Sequence, residues 1–260
     1  MNEELRWQDW RQARLAELSG PDSWLGLIGL YWLEQGLNRV GSAEDCPVRL
    51  PEGAQYLGDL DWQEERLTWL PAGDLPRDLQ TDIDGQPSVV EFQNGSFFVV
   101  DREGRLAVRL RDGGWADKRD FAGLAYFDYD PAWEIEAEWL ELDPPLAMEV
   151  PNVSGDLNLV KVSHQAVFLM DGQTVTLLPM SVGEKEVFFV FRDRTSGKDT
   201  YGAGRFLKVP ATVNRKIRLN FNFSCNPPCA FTPFATCPLP PPENWLSFPV
   251  LAGEKKWLGK

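Results

Sequence analysis

The sequence predicts a mainly β protein with a single helix near its N-terminus. Residues 133–139 alternate strictly between apolar side chains and glutamates, which is typical of a strand with one buried and one solvated face. An Asn-Gly pair at 94–95 and an Asp-Gly pair at 171–172 are hairpin turn signals, and both lie between segments rich in β-branched and aromatic residues. Together these observations favour antiparallel sheets over helical layers.

A polar stretch at residues 112–120 marks the expected boundary between two domains. Residues 1–115 are predicted to contain the N-terminal helix and a small β-sandwich. Within them, the continuous apolar run at 23–33 is expected to be a buried strand or a short helix. Residues 116–260 are predicted to form an antiparallel β-barrel or sandwich with a proline-rich lid loop.

The N-terminal helix is predicted over residues 2–19, and a glycine at position 20 ends it. Its apolar face is imperfect, because two arginines fall in the same arc as four apolar side chains. The apolar members are Trp7, Trp10, Leu15 and Leu18, and the arginines are Arg11 and Arg14. Either the arginines extend past the tryptophans to pair with surface acids, or they reach a site elsewhere in the fold. We favour the first interpretation.

Residues 36–112 resemble the opening of a forkhead-associated β-sandwich, in which a strand that begins at a glycine leads through a short loop to a strand ending in Leu-Pro. In that family an arginine after the glycine, together with a later serine and histidine, holds phosphothreonine. Here Gly41 is followed by Ser42, and the only histidine of the chain is His164. The resemblance therefore implies a sandwich without a phosphopeptide site.

The composition argues against several classes of function. Acidic residues outnumber basic residues by 39 to 26, which gives a net charge of −13. Without a basic surface, we expect neither nucleic acid nor an anionic membrane as a partner. The segment MNEELRWQDWRQ lacks the apolar core of a secretory signal, and no apolar run reaches membrane-spanning length. We therefore predict a cytoplasmic protein with reduced cysteines, of undetermined oligomeric state.

Hairpins and a long alternating strand are predicted in the C-terminal half. The hairpins cover residues 165–180 and 186–209, and the strand covers 216–223. The glutamates at alternate positions of 133–139 are interpreted as a solvated face, because neighbouring carboxylates on one edge repel each other. These strands provide the body that would hold a site.

Arg205 is the residue on which the predicted site depends. If the second hairpin turns through four residues, Arg192 lies opposite Tyr201, and Arg205 shares their apolar face. A guanidinium on such a face is costly unless it is paired. Arg205 should therefore either clamp the carboxylate of Asp193 or Glu243, or receive an anionic ligand. The residues alone leave both alternatives open.

The segment Asn220–Trp245, which we call the Cys/Pro loop, contains three of the four cysteines and seven of the twenty prolines. Because this proline density is incompatible with a helix interior or a central strand, we expect an ordered loop. Its cysteines follow the spacing Cys225-x3-Cys229-x7-Cys237, and a zinc site built on them would lack a fourth ligand. We expect no metal and no cofactor. A cysteine nucleophile would need a base, and His164 is the only histidine.

Three motifs are similar to a widespread family of uncharacterised prokaryotic proteins that is classed as a domain of unknown function. They are DRTSGKDTYGAGRFL at 193–207, NFNFSCNPPCAFTPFATCPLPPPENW at 220–245 and AGEKKW at 252–257. Family members carry a T-Y-x-x-G-R-F-L element and an N-P-P-C-A-F-T-P…C-P-L-P-P-P-E-N signature. The segment GLYWLEQGLNRVGS extends the resemblance over most of the chain. The resemblance implies a cytoplasmic location and no established activity, and its signature positions here are Tyr201, Gly204, Arg205, Asn226, Cys229, Cys237, Glu243 and Asn244.

We favour a protein that binds a small polar or anionic molecule in the C-terminal domain beneath the Cys/Pro loop. The expected ligand-binding residues are Arg205, Tyr201, Asn222, Asn226 and Asn244, and the expected structural positions are Asp193, Gly204 and Cys237. One alternative is a hydrolase in which Glu243 or Cys229 acts as the catalytic group and Arg205 stabilises negative charge. Another alternative is a non-catalytic interaction module. The identity of the ligand is left open.

Overall fold

The computed structural model describes residues 2–118, 121–212 and 214–259, and within it the chain forms two compact units. The first, which we call the sandwich unit, comprises residues 18–120. The second, which we call the main unit, combines residues 1–17 with residues 121–260. The main unit is therefore built from two separate stretches of sequence.

This division differs from the predicted one in the placement of the N-terminal helix. The expected boundary at residue 115 lies close to the observed one at 120, but the helix belongs with the C-terminal half of the chain up to residue 17. Aromatic contacts explain the difference. The ring centre of Trp7 lies 5.7 Å from that of Tyr129, and the ring centre of Trp10 lies 5.3 Å from that of Phe223. These rings pack against the two tryptophans of the helix.

Helix α1 covers Glu3–Ser19, which confirms the predicted helix, and the short α2 covers Trp115–Lys118. The described residues also form 3-10 turns at Trp24–Gly26, Asp82–Asp84, Pro131–Trp133, Phe221–Phe223, Pro228–Ala230 and Pro242–Asn244. No helix in the described part of the chain combines the length and the apolar character needed to cross a bilayer.

The sandwich unit consists of two sheets that share one apolar core. Its strands are β1 Leu27–Trp32, β2 Gly36–Gly41, β3 Val48–Arg49, β4 Gly58–Gln63, β5 Arg66–Pro71, β6 Arg77–Asp78, β7 Val89–Phe92, β8 Gly95–Arg102 and β9 Arg105–Asp112. The strand orders are β1-β9-β8-β7 and β3-β2-β4-β5-β6. Both sheets contribute to the same buried cluster, with Leu60 and Trp69 from one sheet and Phe97 and Val108 from the other. This is the expected sandwich arrangement.

The main unit adds two further antiparallel sheets. Its strands are β10 Glu134–Pro151, β11 Leu157–Met170, β12 Gln173–Leu177, β13 Pro179–Val182, β14 Glu186–Phe191, β15 Arg205–Pro210 and β16 Lys216–Asn220. The strand orders are β12-β11-β10-β16 and β13-β14-β15. Side chains of both sheets meet in one core, which includes Trp139, Phe168, Phe189 and Leu207. The prediction of a mainly β protein with one N-terminal helix is confirmed.

Strand β10 has the two faces that the alternation predicted. Ala137 and Trp139 are buried, whereas Glu136 and Glu138 are exposed. The hairpin between β11 and β12 also turns where expected, because Asp171 and its neighbouring glycine both adopt positive φ.

The second hairpin turns differently from the prediction. Strand β14 ends at Phe191, which pairs directly with Arg205, so residues 192–204 form a long loop instead of continuing the ladder. The predicted pairing of Arg192 with Tyr201 is therefore wrong. Side-chain bonds within the loop explain the difference, because the Asp193 carboxylate accepts from Thr195 and thereby fixes a turn that ladder pairing would break.

Candidate functional site

The Cys/Pro loop is an ordered chain of short turns, as predicted. It begins and ends in 3-10 turns, and prolines occupy the first position of the turns at 228–230 and 242–244. Isolated β-bridges at Cys225, Pro238 and Trp245 join it to neighbouring segments. Proline suits these positions because its φ angle is already fixed and its missing N–H has no partner to lose.

Arg205 lies at the base of this loop and has no exposed surface. Its Nη2 atom lies 2.7 Å from Oδ2 of Asp193 and 3.0 Å from the carbonyl oxygen of Val250, while Nη1 donates to the carbonyl of Ala252. The guanidinium also lies over the Phe191 ring, at 5.2 Å from its centre. Burial lowers the pKa of Arg205, and the Asp193 carboxylate opposes this effect. Arg205 therefore clamps a carboxylate, and its predicted contact with a ligand is wrong because solvent cannot reach it.

Asp193 is equally enclosed and fully bonded. Its Oδ1 accepts from the backbone nitrogen of Thr195 at 2.7 Å, from the hydroxyl of Thr195 at 2.6 Å and from the nitrogen of Val250 at 3.3 Å. Close by, Gly204 has a φ of +99°, and a Cβ there would lie 2.5 Å from the carbonyl oxygen of Phe191. Asp193 therefore joins the loop at 192–204 to the C-terminal segment at Val250, and Gly204 allows the close approach of this loop to Phe191.

Two of the three predicted ligand-binding asparagines serve the backbone instead. Both donors of Asn244 are used at 2.8 Å, by the carbonyls of Leu178 and Val190, and its oxygen accepts from the nitrogen of Leu178. Asn222 exchanges hydrogen bonds with the backbone of Asp130. Because both side chains are buried and satisfied, the prediction that they bind a ligand is wrong.

Glu243, the neighbour of Asn244, is exposed and lies in the first turn of the 3-10 turn at 242–244. The structure gives it no bond to Arg205, which is enclosed elsewhere. His164 stacks on Trp139 with ring centres 4.9 Å apart and contacts the hydroxyl of Ser163. It therefore contributes to the packing of the sheet. The groups of the hydrolase alternative are not assembled into one site.

Tyr201, Cys229 and Cys237 do come together. The Tyr201 hydroxyl donates to the carbonyl oxygen of Cys229 at 2.9 Å, and the nitrogen of Cys229 lies 3.3 Å from the sulfur of Cys237. Burial, followed by the neighbouring Cys229, raises the pKa of Tyr201, so this phenol stays protonated. No group of three or more metal-ligating side chains occurs among the residues that the structure describes.

A buried ion pair that the sequence did not predict joins α1 to the C-terminal segment. Glu254 has no exposed surface, and its Oε1 lies 3.0 Å from Nε of Arg14. Its Oε2 accepts from the nitrogen of Asn226 at 2.7 Å, and Nη2 of Arg14 donates to the carbonyl of Asn226 at 3.1 Å. Burial raises the pKa of Glu254 against the opposing effect of Arg14. Arg14 therefore reaches an interior site, contrary to the interpretation we favoured.

Asn226 completes this cluster, which explains its place in the signature. Its Nδ2 donates to the carbonyl of Lys255 at 2.8 Å, while its buried Oδ1 has no partner among the described residues. Two signals pointed to the cluster: Arg14 lies on the apolar arc of the helix, and Glu254 lies in the AGEKKW motif. Neither signal indicates that the two side chains meet.

One turn before Arg14, Arg11 lines a cavity of about 440 Å³ in the main unit. The cavity is bounded by Gln8, Arg11, Gln12, Leu15, Ala122, Gly123, Leu124 and Tyr126. The guanidinium carbon of Arg11 lies 4.3 Å from the ring centre of Tyr126 and 4.6 Å from that of Trp7. Within the described ranges, Arg11 has no carboxylate at ion-pair distance and the Tyr126 hydroxyl has no hydrogen-bond partner. Burial raises the pKa of Tyr126, so its hydroxyl remains a donor.

Other cavities carry polar groups that already have partners. In a cavity of about 380 Å³ in the main unit, Lys208 pairs with Glu186 at 2.8 Å and Lys216 pairs with Glu136 at 2.7 Å. The remaining cations of that cavity, Arg6 and Arg218, also pair with glutamates. Each cation of that cavity therefore has a protein counter-charge, whereas Arg11 has none among the residues that the structure describes.

A cavity of about 600 Å³ in the sandwich unit follows the same pattern. The Ser42 hydroxyl donates to the carbonyl of Gly53 at 2.9 Å, and the Asn94 amide donates to Glu52 at 3.0 Å. Ser42 is thus engaged with the backbone of its own loop.

Comparisons with known proteins identify a family that is similar to this chain. The model of a family described as "Protein of unknown function (DUF1684)" matches residues 119–255, which is more than half of the chain. The chain belongs to the DUF1684 family. This confirms the resemblance to an uncharacterised family that the three motifs suggested.

One solved structure similar to this DUF1684 protein is the solution NMR structure of an uncharacterized protein of Haloarcula marismortui. It is 31% identical in sequence, with a TM-score of 0.45, and the match covers 54% of this chain and 79% of the other. No curated protein matches the chain. The DUF1684 match includes the Arg205 clamp, the Cys/Pro loop and Glu254, whereas Arg11 and Arg14 lie before its first residue.

Proposed function

We propose that this DUF1684 protein binds a small organic anion in the cavity lined by Arg11 and Tyr126. The observation that carries the proposal is the unpaired guanidinium of Arg11. Arg11 is half-buried and has no counter-charge among the described residues, although acidic residues outnumber basic residues by 39 to 26 in the chain. Desolvating such a cation is costly unless an anion compensates it, and a bound ligand would supply that anion.

The lining of the cavity supports a ligand of defined chemistry. Arg11 offers a planar fork of donors for a carboxylate or phosphate, and its stacking on two rings fixes its orientation. Tyr126 supplies a protonated phenol, and the amides of Gln8 and Gln12 are exposed at the rim. Leu15 adds apolar surface. A cavity of about 440 Å³ is within the usual range for sites that bind small molecules.

The proposal keeps the class of function that the sequence suggested and moves the anchor from Arg205 to Arg11. We further propose a cytoplasmic location in a prokaryotic cell, which is supported by the free thiol state of all four cysteines. Nucleic acid and membrane are not among the partners we propose, since the net charge of −13 disfavours polyanionic surfaces.

Thermal unfolding with inorganic phosphate, acetate and phenyl phosphate as separate probes tests the proposal. An anion that binds should raise the melting temperature by about 3–6 °C when present at tenfold its dissociation constant. Arg11→Gln should weaken binding of that anion by about 10- to 100-fold, since it removes a charged hydrogen-bond donor. The matched control is Arg215→Gln, because Arg215 is an exposed arginine of the same unit. Equal binding by the wild type and the Arg11 variant, or no response to any probe, would refute the site.

A further inference from the structure

Two thiols of the Cys/Pro loop form a close pair that the anion cavity does not include. The backbone nitrogen of Cys229 lies 3.3 Å from the sulfur of Cys237, and the two side chains are hydrogen-bonded to each other. Cys229 is half-buried and Cys237 is buried, and neither forms a disulfide. Cys229 is therefore the more exposed of the two residues, and the sulfur of Cys237 lies against its backbone.

The surroundings of Cys229 favour its reactive form. The hydrogen bond with Cys237 lowers the pKa of Cys229 below its ordinary value, burial opposes this, and Tyr201 contributes a further lowering. A thiolate, unlike a thiol, attacks peroxides and disulfides. Tyr201 is held in place by its bond to the carbonyl of Cys229, so it acts as a positioning residue for the adjacent sulfur.

The other two cysteines lack these features and provide internal references. Burial, together with Glu254, raises the pKa of the Cys225 thiol to about 12. Cys46 is buried in the sandwich unit, where its thiol contacts the carbonyl of Gln55 at 3.6 Å. Both should remain thiols under conditions in which Cys229 reacts.

We infer that Cys229 and Cys237 form a reversible redox site, in which Cys229 is oxidised by a hydroperoxide and Cys237 closes an intramolecular disulfide. This inference does not depend on the proposed anion site. Cys229 lies inside the proline turn at 228–230, and the proline turn at 242–244 follows Cys237, so both turns constrain the loop that brings the two residues together.

The chemistry balances with hydrogen peroxide as the oxidant. The Cys229 thiolate attacks one peroxide oxygen, the O–O bond breaks, and the hydroxide that leaves takes up a proton to become water. Cys229 is then a sulfenic acid. The Cys237 sulfur attacks the Cys229 sulfur, the S–O bond breaks, and a second water leaves with the proton of the Cys237 thiol. Two thiols lose two electrons in total, and one peroxide gains them.

The test treats the full-length protein with one equivalent of hydrogen peroxide and then alkylates the remaining thiols after denaturation. Peptide mass mapping should find a disulfide between Cys229 and Cys237, with Cys46 and Cys225 alkylated, and dithiothreitol should restore four free thiols. A disulfide that includes Cys225, or four free thiols after treatment, would overturn the inference.

Variants separate the roles of the two sulfurs. Cys229→Ser should abolish peroxide consumption, whereas Cys237→Ser should leave a sulfenic acid on Cys229 that dimedone traps. Cys225→Ser is the matched control and should behave as the wild type. Unchanged disulfide formation in either the Cys229 or the Cys237 variant would contradict the assigned pair.

The pH profile of alkylation provides a readout that a purely structural role of Tyr201 would not change. In the native protein, iodoacetamide should modify Cys229 at least about tenfold faster than Cys225 near neutral pH, because the thiolate fraction governs the rate. Tyr201→Phe should move the midpoint of the Cys229 profile to higher pH. Equal rates for the two cysteines, or an unmoved midpoint, would count against the assigned roles.

Discussion

Arg205 is the largest side chain without exposed surface in the described part of the chain, and its charge is neutralised inside the protein. Desolvation makes such a pair expensive to form, but it makes the removal of one partner more expensive still. Asp193, Val250 and Ala252 accept from the guanidinium, so the pair ties the loop at 192–204 to the C-terminal segment. The family motif around Arg205 therefore has a structural role, which is to join these two segments.

Single and double substitutions of this pair should show strong coupling. Asp193→Asn and Arg205→Met should each lower the free energy of unfolding by about 3–5 kcal/mol, because each leaves a buried charge without its partner. The double variant should be more stable than the sum of the two losses predicts, by at least about 1.5 kcal/mol. Urea unfolding of the four proteins measures this difference.

The exposed pair of Glu186 and Lys208 is the control for this experiment. Its side chains are 49% and 57% exposed, so the corresponding double substitution should change stability by less than about 1 kcal/mol. Additive losses at Asp193 and Arg205 would contradict the account of a coupled buried pair.

At the scale of elements, the Cys/Pro loop is fastened to the sheets by Asn244. Its amide bridges Leu178, between β12 and β13, and Val190, in β14. A side chain of this kind replaces backbone pairing where prolines have removed the donors. The loop is therefore part of the sheet architecture and not a mobile cover.

Asn244→Ala should lower the free energy of unfolding by about 2–4 kcal/mol, since it leaves two carbonyls and one N–H of the backbone buried without partners. Its neighbour offers a matched control, because Glu243 is exposed and Glu243→Ala should change stability by less than about 0.5 kcal/mol. Urea midpoints compare the two variants. A loss at Glu243 as large as that at Asn244 would mean that the loop is held by other contacts.

Regular elements were predictable because their patterns are local. The alternation around Trp139 indicates which face of β10 is buried, and the Asp-Gly pair at 171–172 indicates the turn. The loop at 192–204 was not predictable from ladder pairing, because one carboxylate bonded to Thr195 reshapes it. The same carboxylate also pairs with Arg205. The sequence indicated this pair as one alternative, but it did not distinguish a carboxylate partner from a bound ligand.

At the scale of the whole molecule, the sequence does not indicate which residues of distant segments are in contact. Arg14 and Glu254 are 240 positions apart, and no periodicity in either segment indicates their contact. The helix pattern placed Arg14 on the apolar arc. A sequence pattern does not distinguish an arginine that pairs with a buried carboxylate from one that has no partner. The anion cavity was not predictable for the same reason, because its lining residues Arg11 and Tyr126 belong to segments that are far apart in the sequence.

The ion pair predicts a pH dependence of stability. Burial raises the pKa of Glu254 in the folded protein above its ordinary value of 4.5, so between the ordinary and the raised pKa the folded state binds more protons than the unfolded state. The contribution of Glu254 to the free energy of unfolding is therefore largest below 4.5 and falls as the pH rises through the folded pKa.

Glu254→Gln removes this titration. The stability of the wild type relative to the variant should decline as the pH rises above 4.5, as chemical unfolding at several pH values would measure. Glu243→Gln serves as the comparison, because it makes the same substitution at an exposed position. A relative stability that increases with pH would mean that Arg14 outweighs burial at Glu254.

The main unit is assembled from residues 1–17 and 121–260, with the sandwich unit between them in sequence. During translation the sandwich unit is therefore complete while α1 still lacks the aromatic rings that contact its tryptophans and the glutamate that pairs with Arg14. The apolar face of the helix therefore stays without these contacts during most of translation. A nascent chain stalled before residue 254 should for this reason be a preferred client of chaperones that recognise exposed aromatic segments.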